Sequence, residues 1–172
     1  MVINHKSEKI KCCGVSNVFL NDEKKRIFFN EYDNWDYYEM LEEMKFLATA
    51  FEIDIYLFKS SLNHYHLVSF DIIDIDYLKA IIDSCTNDGD YLYNFWDKNH
   101  EYVLRLSEKG LTLPPFFELF INGDKKLKRS ASSQHIKIYK LLTKTFLPIP
   151  ENKKIENLIT KIVVYNTNRR QY

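Results

Sequence analysis

Apolar and polar positions alternate most sharply between residues 54 and 71, where IYLF and HYHLVSF each carry the period of two that marks a strand. Residues 59–63, KSSLN, separate the two runs with turn formers, so a hairpin is predicted. Side chains on a strand alternate between faces, which puts His64 and His66 on the same side, about 6.5–7 Å apart. Upstream, RIFFNEY at 26–32 reads as a strand rich in aromatic and branched residues, after a polar turn at 21–25. Trp35, Tyr38, Leu41, Met44, Ala48 and Phe51 then recur at spacings of three and four, which predicts a helix capped by Asp33 or Asn34.

Downstream, Ile75, Leu78, Ile81, Ile82 and Cys85 form a second helical stripe, opened by Asp71 or Asp74 and broken by TNDGD at 86–90. YVLRLS at 102–107 and FFELFI at 116–121 read as strands, and Ile136, Tyr139 and Leu142 mark a third helix over 133–145. Residues 8–16 and 18–20 predict a short strand, a turn and its partner; 153–164 fits a helix or a strand, and 91–96 is aromatic and ambiguous. From 26 to 107 the order is therefore β-α-β-β-α-β. It predicts an α+β protein with an RRM-like, ferredoxin-like split β-α-β sheet, two helices on one face and the other face open. The chain divides into an N-terminal hairpin at 1–25, a core at 26–121 and a basic helical extension at 122–172.

A hydrophobic fraction of 45% over 172 residues is enough for a core in one domain. No apolar run approaches the roughly 18–20 residues of a membrane span, and the first residues lack the apolar centre of a signal peptide. Cys12, Cys13 and Cys85 form no CxxC, so a reduced, cytoplasmic protein is expected. The formal net charge is zero but unevenly spread: residues 1–123 hold 12 Lys/Arg against 21 Asp/Glu, and 124–172 hold 12 against 3. Such an asymmetry points to a polyanion on the basic part, or to nothing more than a solvated lysine-rich helix.

Glu31 and Asp33 share a face at the exit of the first core strand, and two such carboxylates repel unless a hard divalent cation lies between them. In the split β-α-β plan this strand neighbours the one bearing His64 and His66, so the two pairs converge; the plainer alternative makes the acids a turn and a cap. Ser61, with Lys59 and Ser60, sits in a turn suited to phosphate oxygens. Arg105 and Lys109 offer two cations beside the same patch, or ordinary ion pairs with Glu101 and Glu108. Lys125, Lys126, Lys128 and Arg129 form a basic loop for nucleic-acid phosphates, continued by Lys137, Lys140 and Lys144.

An acidic pair after an apolar strand, then KSS…YHLVSFD, then VLRLSEKG…LPPF, resembles the catalytic core of archaeo-eukaryotic primases and primase-polymerases over roughly residues 26–116. The resemblance implies metal-dependent nucleotidyl transfer on a single-stranded template, with Mg²⁺ or Mn²⁺ on Glu31 and Asp33. It makes His66 a catalytic contact to the nucleotide phosphates, flanked by Ser61, His64, Arg105 and Lys109, with Asp97 or Glu101 as the candidate third acid. Motif one reads Glu-Tyr-Asp rather than Asp-x-Asp, and His64 stands at the usual serine position. A small replication protein of a virus or plasmid fits this size. His64-Tyr65-His66 is also similar to the metal-binding strand of HUH rolling-circle replication initiators, whose tyrosine attacks DNA. Tyr91 or Tyr93, with Lys98, would then be the nucleophile, though the usual Y-x-x-K spacing is absent. A third alternative is a catalytically inactive RRM-like module stacking bases on Phe28, Tyr65 or Tyr102, and a fourth is a partner-binding domain without nucleic acid.

Overall fold

The computed structural model describes residues 9–86, 101–109 and 112–168. The fold is α+β; among the described residues it has three helices and two main sheets built chiefly by antiparallel pairing. The larger sheet is built on the predicted hairpin, β4 (Ile55–Ser61) and β5 (His64–Asp74), whose turn is closed by Asn63 in the left-handed region. On one side β5 pairs with β3 (Asp22–Asp33), and on the other side of β4 lies β7 (Phe116–Ile121). β3 is longer than the sequence predicts because its polar start, read as a turn, pairs with β2 (Val18–Phe19) and with the end of β5 through Lys25 and Asp74.

α1 (Tyr37–Phe51) starts two residues after Trp35, the first residue of its apolar stripe, because Asp36 caps it and Glu39 completes the capping box. Asn34, an expected cap, instead takes the left-handed region and turns the chain out of β3. α2 (Ile75–Ser84) buries Leu78, Ile81 and Ile82 as its stripe requires. Both helices pack on the sheet face that carries Phe28, Tyr32, Ile55, Leu57, Tyr65 and Leu67.

The opposite face is not open. Phe29, Tyr56, Phe58, Val68 and Phe70 point there, and all are buried. They are covered by α3 (Ser133–Thr143), by Leu147, and by Val15, Leu104 and Leu106 of the second sheet and its continuation. The second sheet runs in the order β10 (Ile162–Asn168), β1 (Lys9–Ser16), β6 (Val103–Arg105). β1 therefore does not fold back on β2 as an N-terminal hairpin; it leaves to pair with β10 and β6. Asn17 fixes the crossing, since its N–H donates to Tyr102 O and its carbonyl accepts from Ile27 N. Among the described residues the segment from 122 onward thus contributes one helix and three strands, β8 (Ala131–Ser132), β9 (Ile155–Glu156) and β10, rather than helices alone.

One buried knot ties this segment down. Lys153 Nζ lies 2.5 Å from Asp71, 2.6 Å from Asp124 and 3.0 Å from Asp54, and all four side chains are nearly inaccessible to water. Each ammonium hydrogen faces a different carboxylate. The knot joins the start of β4, the end of β5, the loop after β7 and the approach to β9.

Candidate functional site

The register of β3 against β5 pairs Glu31 with His66 and Asp33 with His64. All four lie on the face opposite α1 and α2, at the one end of it where the apolar residues stop. Asp33 Oδ1 lies 2.6 Å from His64 Nδ1 at the surface, and Glu31 Oε1 lies 3.4 Å from His66 Nε2. The convergence follows from strand alternation alone, since each pair is spaced i, i+2 on adjacent strands.

Tyr102 OH donates to Glu31 Oε2 at 2.6 Å. Burial raises the Glu31 carboxyl above its ordinary value; Asp33 adds to this, while the Tyr102 hydrogen bond, Arg105 and Lys109 work against it. His66 is buried, and burial, with Arg105 and His64 in support, lowers its pKa to about 3. It is a neutral imidazole at physiological pH. Its Nδ1 is buried and has no hydrogen-bond partner among the described residues. A proton on Nε2, facing Glu31, leaves Nδ1 with a free lone pair.

The pH dependence follows in sign. Between its ordinary 6.5 and about 3 the unfolded chain binds a proton at His66 that the folded chain does not, so this contribution is present above 6.5 and lost on acidification. Asp71 and Glu31, both raised, act in the opposite direction, so the clean measurement is a difference. Urea unfolding of the wild type against His66→Asn from pH 7 to 5 is expected to show the wild type losing its relative stability by about 1.4 kcal/mol per pH unit below pH 6.5.

Arg105, on β6 opposite Gly14, gives one N–H to Ser107 O, and its charge reaches both Glu31 and His66. Lys109 exchanges paired backbone hydrogen bonds with Thr112, and it too acts on Glu31. Ser61 pairs with His64 at the mouth of the hairpin, and Ser60 Oγ donates to His64 O. These residues therefore gather round one patch. Glu101 borders the same cleft but is engaged: burial works to raise its carboxyl, yet hydrogen bonds from Lys161 and Ser16 hold it below its ordinary value. Asp97, Tyr91, Tyr93 and Lys98 lie outside the described residues.

The basic loop is elsewhere. Arg129 adjoins β8, which pairs with Asp71 at the far end of β5, about 23 Å along the strand from His64. Arg129 stacks over Tyr77 at 4.3 Å, Lys126 meets Glu52 at 3.4 Å, and Lys125, Lys128 and Arg129 line a cleft above the Lys153 knot. Of the rings considered for base stacking, Phe28 and Tyr65 are buried beneath the helices and Tyr102 borders a cleft. Sequence reasoning missed the knot. It also missed Val163 and Tyr165 on β10, which share a cleft of about 500 Å³ with Glu31, Tyr102, Val103 and Arg105. Alternation within IVVYN marks those two as one face, but nothing local says which strand they join.

Comparison with known proteins finds no matching family model, no matching curated protein and no matching solved structure. Among the described residues no helix is long and apolar enough to cross a membrane. Among them, too, no three His, Cys, Asp or Glu side chains converge closely enough to hold a metal by themselves. The donor chemistry nonetheless suits Mg²⁺ or Mn²⁺. Such ions bind through one or two carboxylates and complete their shell with water and substrate phosphates, and Glu31 and Asp33 are the carboxylates of the row that could hold one.

Proposed function

We propose that the Glu31, Asp33, His64 and His66 row is a nucleotidyl-transfer site of a small primase-polymerase-like protein acting on single-stranded nucleic acid. The observation that carries this reading is the cross-strand pairing of Glu31 with His66 and of Asp33 with His64 beside Arg105 and Lys109. Two carboxylates, a buried neutral imidazole and two cations gathered on one face answer the needs of phosphoryl chemistry, which is mostly positioning and charge neutralisation.

A divalent ion held by Glu31 and Asp33 would neutralise triphosphate charge and activate the attacking hydroxyl. The chain's own residues do the rest. Arg105 and Lys109 draw the phosphates toward the row, and Arg105 offers the planar fork that phosphate oxygens accept. His66, held neutral, donates one hydrogen bond without adding charge. Tyr102 orients the Glu31 carboxylate. The basic loop at the far end of β5 is a separate surface suited to the backbone of a template strand.

One gel separates this from the initiator reading. The protein is incubated with Mn²⁺, labelled nucleotides and single-stranded DNA, with a parallel lane of 5′-labelled DNA and no nucleotides. New or extended oligonucleotides are expected. Label shifted to the mass of the protein, with cleaved DNA, would replace the reading by a tyrosine-linked initiator and make Tyr91 or Tyr93 the residue to test.

A further inference from the structure

Beside the row lies a trough whose shape is set by strand register. On β1, Cys12, Gly14 and Ser16 are small and buried, while their cross-strand partners are larger. Gly14 stands between Arg105 on β6 and Val163 on β10; Cys12 stands beside Tyr165, and Ser16 beside Val103. A Cβ at Gly14 would come within 2.6 Å of Leu104 O and 2.8 Å of Val103 Cγ1, so this strand approach requires glycine. The register thus sets Val103 and Arg105 on one side of β1 and Val163 and Tyr165 on the other, and all four line one cleft. Glu31 and Tyr102 close the end nearest the row, within the cleft of about 500 Å³.

The chemistry of the walls is specific. Val103 and Val163 give the cleft aliphatic surface and Tyr102 and Tyr165 aromatic surface, and Arg105 is the one cation of a lining that also holds the Glu31 and Glu101 carboxylates. That arrangement suits a flat heterocycle with a phosphate tail, and the volume falls in the range of small-ligand sites, about 300–1,000 Å³. Tyr165 is half-buried; burial raises its phenol above its ordinary value, and Arg105 and Glu31 are both near enough to act on it. Its ring is thus part of the same electrostatic neighbourhood as the row, although it lies more than a hundred residues from Glu31 in the chain.

We infer that this trough is the nucleobase slot of the nucleotidyl-transfer site, with Tyr165 of the C-terminal strand as its stacking platform and Arg105 directing the phosphates to Glu31 and Asp33. The inference rests on the reading of the row given above. It assigns the base-binding function to β10, which no motif in residues 26–116 marks.

The test is calorimetric titration, with Mg²⁺ present, of a non-hydrolysable deoxynucleoside triphosphate and, separately, of inorganic tripolyphosphate. Tyr165→Leu is expected to weaken the nucleotide on the order of ten- to a hundredfold and to leave tripolyphosphate unchanged, because stacking on an aromatic ring is of that size. Tyr165→Phe keeps the ring and is expected to bind as the wild type does. A second measurement needs no variant: irradiation of a 5-iodouracil nucleotide on the wild-type chain is expected to label Tyr165. Unchanged nucleotide affinity in Tyr165→Leu, or equal loss of nucleotide and tripolyphosphate, or a photolabel confined to other residues, would each overturn the slot while the reading of the row stands. If the wild type binds neither ligand, both fall together.

Discussion

Lys153→Met is expected to cost about 3–5 kcal/mol of folding stability, well beyond the effect of losing any exposed ion pair of this chain. Methionine matches the length and apolar stem of lysine, so the loss arises from charge rather than from packing. Three buried carboxylates, Asp54, Asp71 and Asp124, would be left without their shared cation. Backbone donors meet only part of their need: Gly123 and Asp124 N–H bond Asp54, Asp54 N–H bonds Asp71, and Arg129 N–H bonds Asp124, while Asp124 Oδ1 has no hydrogen-bond partner among the described residues. Even in the wild type the charge is not balanced. Burial pushes the Asp71 carboxyl up to about 7, with Asp54 adding to it and Lys153 opposing. In the folded chain Asp71 therefore holds a proton that the unfolded chain releases, and its contribution to stability falls as pH rises from its ordinary 3.8 to about 7. Removing Lys153 steepens that trend, so the variant is expected to be weakest above pH 7 and to recover part of its loss near pH 5. Urea midpoints at the two pH values check this. A loss below about 1 kcal/mol at pH 7.5, the scale of an exposed ion pair, would show that water reaches the knot.

Glu31→Gln with Asp33→Asn is expected to reduce nucleotidyl transfer to background while leaving the melting temperature unchanged or higher. Catalysis fails because amides do not replace the two anionic ligands that a divalent ion needs. Stability holds because the new amide at position 31 still accepts from Tyr102 and the one at position 33 still meets His64. The charge of a partly buried carboxylate, and its repulsion with its neighbour, are removed at the same time. A structural acid pair behaves in the opposite way, with stability falling and activity lost only through unfolding. The melting curve is therefore read together with the activity.

What the chain declares locally and what it does not follow a physical divide. The hairpin at 55–74, the capped helix after Asp36 and the stripe of α2 are set by neighbours within a few residues, and periodicity shows them. The row itself was legible for the same reason: once β3 and β5 are adjacent, i, i+2 spacing on each places Glu31, Asp33, His64 and His66 on one face. Coverage of that face was hidden. Phe29, Tyr56, Phe58, Val68 and Phe70 sit at the positions a one-sided sheet would leave polar, and their apolar character was a sign of burial on both faces. The partners of β1 were hidden for a different reason. Its pairing with β10 joins Lys9 to Asn168 across nearly the whole chain, and no local pattern encodes such a contact. Asp54 and Asp71, flanking an apolar hairpin, hinted that a buried counter-charge was needed, but Lys153 lies 82 positions beyond Asp71 and looks like one more solvated lysine.

Metal-dependent nucleotidyl transfer by the row on β3 and β5 is decided by incorporation of labelled nucleotide into single-stranded DNA in Mn²⁺. The wild-type chain and the Glu31→Gln, Asp33→Asn chain are run side by side. Labelled oligonucleotides are expected with the wild type and none with the variant, both chains melting at similar temperatures. Incorporation of equal extent by both chains, or none by a folded wild type, would contradict the assignment.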